Sequence, residues 1–345
     1  MMAGTGQTLF GNSLSPEKRM PKIDWRSILA LLTAGLIVST GAPIAAPSIA
    51  TAVATASANI ADNLADTGPH LGFDTFAYPG DDAMRAWLTA DKPYRWVGYY
   101  LSAPCHSDDS WVGKRDALSS MGWGMAVIYV GQQTWGKTPG QKIGVTRYVT
   151  KRVRQTVKTR SGKRVARYVN KRVPVKVFVF PRASRGSSCS TQLVSAARGV
   201  KDANDAIAKT AAEGFAKGTT IFLDIERMDF VPKAMRDYYK SWTQTVLEDG
   251  RFRPGYYAHS HNADMVYNDV KRVLVADGVQ VDPPFWIAST QGFATDKEPS
   301  EVGHAFAQVW QGVVDVVETH NGVRLPIDVN VAQLPSPSED YAAGE

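Results

Sequence analysis

From residue 71 onward the chain alternates short, almost wholly apolar stretches with stretches of helical spacing. The apolar runs are Leu71–Phe76, Trp96–Leu101, Gly124–Val130, Thr219–Glu226, Pro254–His259, Pro284–Ser289 and Ala305–Trp310, with an eighth placed around Ile327–Val331. Helical spacing marks Asp81–Thr89, Asp109–Met121, the Ala-rich Thr191–Lys217 and Pro232–Leu247. Strands that read as continuous apolar runs are buried on both faces, which calls for helices on either side of a parallel sheet. Residues 70–334, less a basic insertion, leave roughly 220 residues, a size that suits a (β/α)8 barrel. The expected fold is therefore α/β, a TIM-like barrel carrying an insertion. An open doubly wound sheet is the alternative, but no Gly-rich phosphate loop follows the first strand.

The insertion is the strangest part of the chain. Between Lys137 and Arg185 there are sixteen Lys/Arg and no Asp/Glu. The whole chain has a net charge of +6, so the remainder carries −10. Arg147-Tyr-Val-Thr-Lys-Arg-Val153 recurs as Arg167-Tyr-Val-Asn-Lys-Arg-Val173, with a Ser161-Gly162 turn signal between the copies. Valines alternate with polar residues on both sides of that turn, which predicts a β-hairpin. Such a hairpin could clamp an anionic polymer, or it could be a solvated arm that protects an edge from aggregation. Sequence-specific nucleic-acid recognition is not expected, because no base-stacking motif accompanies the charge.

The first 58 residues have the pattern of an export signal. Lys18, Arg19, Lys22 and Arg26 precede the apolar run Ile28–Val38, and Ala56-Ser-Ala58 offers a small-residue cleavage site. An uncleaved anchor is the alternative, but the run is short for a bilayer, and Gly41, Pro43 and Pro47 break the stretch after it. Residues 59–69 read as a linker and 335–345 as a flexible tail. Export puts Cys105 and Cys189, the two cysteines of the chain, in an oxidising compartment where a pair usually bridges. Two buried free thiols are the other option. No Cys/His spacing suggests a metal site, and no cofactor is implied.

Four acids fall at or near strand ends. Asp74 closes the first strand, Asp224 and Glu226 close the strand after the long helix, and Asp328 lies by the last. In a barrel these ends converge on one face, where active sites are built. Side chains two apart on a strand share a face, so Asp224 and Glu226 both point into the mouth. Two acids so close push one pKa up, giving a protonated acid beside an ionised partner. Glycosidic cleavage needs that pair of roles. A buried ion-pair cluster or an Asp-based metal site would use the same residues. Aromatics cluster at the same strand ends: Tyr99, Tyr100, Tyr256, Tyr257, Trp286 and Trp310 could face sugar rings, and His259, Asn262, Gln308 and Gln311 could bind hydroxyls.

Gly72-Phe-Asp74, Gly98-Tyr-Tyr100, Ile128-Tyr-Val-Gly131, Ile221-Phe-Leu-Asp-Ile-Glu226, Pro254-Gly-Tyr-Tyr257, Phe285-Trp-Ile-Ala288 and Ile327-Asp-Val-Asn330 succeed one another in an order that resembles the DUF1906 family. This is the glycoside-hydrolase-like domain of bacterial secreted proteins, related to family 25 lysozymes. The resemblance spans about residues 70–334 apart from the basic insertion. It implies a TIM-like barrel acting on a cell-wall polysaccharide, with Glu226 as general acid, Asp224 and Asp74 stabilising or orienting the sugar, and Asp328 lining the mouth. The expected protein is a secreted or wall-associated, muramidase-like hydrolase with no membrane span after signal cleavage. A catalytically silent wall-binding module is the rival expectation. A metal-dependent phosphodiesterase or deacetylase using Asp74, Asp224 and His259 is the weaker third.

Overall fold

The computed structural model describes residues 68–92 and 94–339. The expected export signal, residues 59–67 of the expected linker and residues 340–345 lie outside them. Among the described residues no helix is long and apolar enough to cross a membrane.

Ten strands and five α-helices are found among the described residues. In chain order they are β1 (His70–Asp74), α1 (Asp81–Leu88), β2 (Trp96–Tyr100), α2 (Arg115–Met121), β3 (Gly124–Tyr129), β4 (Ile143–Lys158), β5 (Arg164–Val179), α3 (Ala196–Ala212), β6 (Thr220–Ile225), α4 (Lys233–Asp249), β7 (Arg253–His259), α5 (Ser260–Ala276), β8 (Phe285–Ala288), β9 (Ala307–His320) and β10 (Val323–Ala332). Eight strands close a barrel in the order β1-β10-β9-β8-β7-β6-β3-β2. The TIM-like barrel expected from the sequence is present. Neighbouring strands run parallel except β10, which is antiparallel to both β1 and β9. The barrel thus closes with a hairpin where a strand–helix unit would otherwise stand. The far part of that hairpin packs on α1 and the loop after it. Trp87 Nε1 donates to the Val323 carbonyl (3.1 Å), and Lys92 and Tyr94 both bind the Glu318 carboxylate at 2.7 Å.

Strand alternation sorts the apolar residues into two layers. Val97, Tyr99, Val127, Tyr129, Ile221, Leu223, Phe285 and Ile287 face outward and bury against the helices. Trp96, Ala126, Ile128, Phe222, Trp286 and Val309 fill the barrel itself. Glycine makes room for the large rings: a Cβ on Gly72 would lie 2.1 Å from the Trp96 ring, and one on Gly98 would lie 2.6 Å from Cβ of Asp74. Apolar bulk thus fills mid-barrel, and β1, β2, β6, β7, β9 and β10 bring polar side chains to its upper end.

Three sequence expectations change here. No helix is expected between residues 259 and 284, yet α5 fills that interval. Its β-branched valines lower helix propensity, and burial of Ala263, Val266, Val270 and Leu274 outweighs them. The long Ala-rich helix runs only over Ala196–Ala212, led by a 3₁₀ turn at Thr191–Leu193 and followed by Gly214 at φ +80°. Residues 335–339 of the expected tail pack against the barrel. The Ser336 and Ser338 hydroxyls accept from the backbone N–H groups of Met125 and Val127, and Thr220 N–H donates to the Ser338 carbonyl, so this segment seals the lower end of β3 and β6.

The basic insertion forms the expected hairpin, β4 paired antiparallel with β5 over sixteen residues a side. It makes a two-stranded sheet of its own. The Thr159–Lys163 turn is closed by Thr159 N–H on the Lys163 carbonyl (2.9 Å). Cys105 and Cys189 are bridged across a separation of 84 residues.

Because Trp96 fills the space beside Gly72, Gly72→Ala should overpack the barrel. Urea unfolding should show a loss of about 1–3 kcal/mol. Unchanged stability would mean that the Trp96 ring can move aside freely.

Candidate active site

The upper layer of the barrel is a polar floor. Asp74 is the centre of it and is buried. It accepts from the Tyr100 hydroxyl (2.8 Å), Gln311 Nε2 (3.0 Å) and Asn330 Nδ2 (2.9 Å), which come from β2, β9 and β10. Gln311 also donates to Asp328 Oδ2 (3.1 Å) and accepts from the Tyr257 hydroxyl (2.7 Å). Trp286 Nε1 supports Asn330 from below (3.0 Å). Asp328 stands directly across from Asp74 in the β1–β10 ladder and accepts the backbone N–H of Asp315.

Asp224 is treated differently. Its Oδ1 is buried with no hydrogen-bond partner among the described residues. Two residues on, Glu226 stands exposed at the rim. The backbone between them is held by one side chain from the loop after β3. Gln133 Nε2 donates to the Asp224 carbonyl (2.8 Å), and Gln133 Oε1 accepts from Glu226 N–H (3.2 Å). The Gln133 amide thus continues the ladder by one step beyond the end of β3 and sets the aim of both carboxylates.

All four acids are pushed above the ordinary carboxylate range. For Asp74 the cause is burial, offset in part by its three donors. Burial also lifts Asp224, and the charges of Glu226 and Asp74 add to it. Glu226 is lifted by the protein crowding the mouth, opposed by a backbone hydrogen bond from Arg227. Asp328 is raised to about 7 by burial and then by the Asp74 charge. The Tyr257 hydroxyl feels Asp224, Glu226, Asp74 and Asp328 together, so the four carboxylates surround one point. Carboxyls kept protonated near neutrality can donate a proton, and ionised partners beside them can stabilise a cation.

The sequence-predicted residues divide cleanly. Asp74, Asp224, Glu226, Asp328, Tyr100 and Tyr257 come together. Trp286 and Trp310 are both fully buried and do not face a ligand; Trp310 faces outward, with Nε1 on the Ser289 carbonyl (2.7 Å), and Trp286 supports the floor. Gln308 is not in the mouth. The β8–β9 register passes from Phe285↔Ala307 to Trp286↔Val309, so Gln308 falls in a bulge at the lower end of β9, and of the two candidate glutamines only Gln311 enters the mouth. His259 caps α5, accepting His261 N–H (3.1 Å), and opens on a separate cleft with Arg227, His261 and His304.

Two functional side chains escape sequence reasoning: Gln133 and Asn330. Asn330 shares the inward face of β10 with Asp328 two residues before it, which is the signal that could have found it, whereas Gln133 lies beyond the end of β3, where periodicity offers none. Beside the acids lies a cleft of about 280 Å³ lined by Asp74, Thr75, Phe76, Tyr100, Asp315 and Asp328. Exposed aromatics stand on the loops after β1, β3 and β6: Phe76, Trp135 and Phe230 are 59%, 50% and 64% exposed. Trp135 also holds a left-handed backbone (φ 46°), a strained conformation for a bulky residue.

A closed eight-stranded barrel with an acidic mouth defines a TIM-barrel protein of the glycoside hydrolase type. The chain belongs to the Rv2525c-like, glycoside hydrolase-like domain family, whose profile matches residues 85–332. A search of curated proteins finds no match. Among solved structures, an uncharacterized B. stearothermophilus protein is 18% identical, with 76% of this chain and 95% of that one covered and a TM-score of 0.45. The Mycobacterium tuberculosis Tat-secreted protein Rv2525c, in complex with L-tartrate, is 17% identical, with coverages of 77% and 95% and a TM-score of 0.40. The Clostridium perfringens spore cortex lytic enzyme SleM is 13% identical, with coverages of 76% and 67% and a TM-score of 0.42.

The raised carboxyls make stability depend on pH with a definite sign. The fold favours their protonated forms, so this contribution is complete below the ordinary value of 3.8 and is lost as pH rises toward about 7 for Asp328. Asp328→Asn removes one such group and keeps an acceptor for Asp315 N–H. The stability difference between pH 4 and pH 7 should narrow by about 1 kcal/mol, allowing for solvent screening of a half-buried group. Urea unfolding across that range checks it. Parallel profiles for the two proteins would show that Asp328 titrates normally.

Proposed function

We propose that this chain is an exported glycoside hydrolase that cleaves O-glycosidic bonds in a bacterial cell-wall glycan, in the manner of a muramidase. The observation that carries this is the pairing at the end of β6: an Asp224 whose buried Oδ1 has no partner beside a rim-exposed Glu226, both with raised pKa. Two carboxyls this close disfavour ionising both, and Glu226 is the member that a leaving oxygen can reach.

Glu226 gives its proton to the glycosidic oxygen as the C1–O bond breaks. Asp224 stabilises the positive charge that grows at C1, or orients the substrate's own N-acetyl group against it. Water then adds to C1, and its proton returns to Glu226. Asp74 and Asp328 keep the floor acidic, while Tyr100 and Tyr257, whose O–H groups are committed to Asp74 and Gln311, leave hydroxyl oxygens that can accept from the sugar. Phe76, Trp135 and Phe230 present aromatic faces of the kind that pack on sugar C–H surfaces. Family membership supports the reaction class, although a fold hosts many functions and the site must carry the assignment. The positive flank and apolar run of residues 18–38 support export, and the basic hairpin supports a hold on an anionic polymer.

Incubation with purified peptidoglycan should release new reducing ends. Glu226→Gln should lower the rate by at least about a hundredfold, the low end for loss of a general acid. Equal release by the wild type and Glu226→Gln would remove Glu226 from the chemistry. Wall binding with no release from either would leave a binding module.

A further inference from the structure

The β4–β5 arm has a symmetry that its sequence repeat builds in. The register sets Lys151 opposite Lys171, Val149 opposite Val173 and Val153 opposite Val169. The two copies of the seven-residue motif therefore pair with each other around a local two-fold axis through the lysine pair. On one face the valines form a half-buried ladder, interrupted at its centre by those two lysines. On the other face the axis relates two like pairs. The Arg152 guanidinium lies 5.0 Å from the centre of the Tyr168 ring, and the Arg172 guanidinium lies 5.7 Å from that of Tyr148. Thr150 and Asn170 stand between them, directly across from Arg172 and Arg152.

The arm's charge is uncompensated. Among the described residues, none of the sixteen basic side chains of 137–185 pairs with a carboxylate. Like charges also face one another directly at Lys151/Lys171 and Lys158/Arg164, which destabilises an isolated ladder. A two-stranded sheet without a partner layer is marginal in any case. The missing partner must bring negative charge.

Its shape narrows the choice. Sixteen residues of strand extend about 50 Å, with basic residues along the whole length, which suits a linear polymer better than a small ligand. A second copy of the arm would bring four lysines together at the axis of the valine face. Single-stranded nucleic acid is held by aromatic faces that stack on its bases, and both tyrosines here already carry an arginine. The arginine fork matches phosphate oxygens in a bidentate way.

We propose that this arm is a docking surface for a phosphodiester-linked cell-wall polymer, gripped on the face formed by Tyr148, Arg152, Tyr168 and Arg172. The partner class rests on reading the barrel as a cell-wall enzyme. The arm leaves the barrel from the loop after β3, on the same side as the acidic mouth, so a bound polymer tethers the enzyme beside its glycan.

The test uses the full chain and purified poly(glycerol phosphate), with binding measured by calorimetry at 50 and 200 mM salt. The wild type should bind, and its affinity should fall more than tenfold between the two salts. Arg152→Gln/Arg172→Gln should bind at least tenfold more weakly at the lower salt, with the same thermal unfolding as the wild type. Lys151→Gln/Lys171→Gln should lose less than threefold. Equal losses from the two double variants would overturn the assignment to the tyrosine face. Preference for double-stranded DNA at matched phosphate concentration, or no binding of the polymer, would overturn the partner. Reducing-end release from phosphate-free peptidoglycan separates the two proposals, because the arginine variant should keep the wild-type rate. Loss of polymer binding in that variant alongside unimpaired release by Glu226→Gln would sink the hydrolase and leave the arm standing.

Discussion

The structure turns on where Asp74 sits. The barrel closes between β1 and the antiparallel β10, and Asp74 lies on that seam with donors from β2, β9 and β10 converging on its two oxygens. A buried carboxyl that accepts three hydrogen bonds locks the strands that supply them, because any slip would strand an acceptor away from water. Gly98 lets β2 come close enough for Tyr100 to reach it, and Trp286 fixes Asn330 from beneath. The residue that fastens the barrel is thus also the floor of the site.

Asp74 and Asp224 show how one environment yields two kinds of acid. Both are carboxyls in the barrel mouth. Asp74 is supplied with donors that favour its ionised form and partly offset burial. Asp224 has one oxygen with no partner, and the charges of Glu226 and Asp74 press on it. The difference arises from neighbours and not from residue type.

Much of this was legible in the sequence because it derives from period-two alternation. Asp74, Tyr100, Asp224, Tyr257 and Asp328 share the inward parity of their strands, and parity is written in the chain. What sequence could not show depends on departures from that regularity. A bulge at Gln308 shifts the parity of β9, so Gln311 and not Gln308 enters the mouth. Trp310 stands on the outward parity and packs with Phe293 instead of a ligand. Gln133 lies beyond the end of its strand, where no periodicity applies. Helix α5 forms against the preference of its valines because its buried face decides the outcome. The tail packs because Ser336 and Ser338 meet unpaired backbone donors of β3, a match between segments some 210 residues apart.

The loop after β3 joins the two working parts of the molecule. Gln132, Gln133 and Thr134 are consecutive and buried. Gln132 holds the far end of the insertion, donating to the Ser188 carbonyl (2.7 Å) and accepting from Ser190 N–H (3.0 Å). Gln133 holds the backbone of Asp224 and Glu226, and the Thr134 hydroxyl reaches Met228 just beyond them. The Cys105–Cys189 bridge fastens the same end of the insertion to the segment after β2. A two-stranded arm with no layer against it would ordinarily swing freely, yet its root is fixed by a covalent bond and by side chains one residue away from those that aim the acids. The far end of the arm is therefore fastened by the disulfide and by the Gln132 amide, while its near end runs back along the chain to Thr134 and Gln133, so both roots of the arm are anchored on the segment that holds the backbone of Asp224 and Glu226.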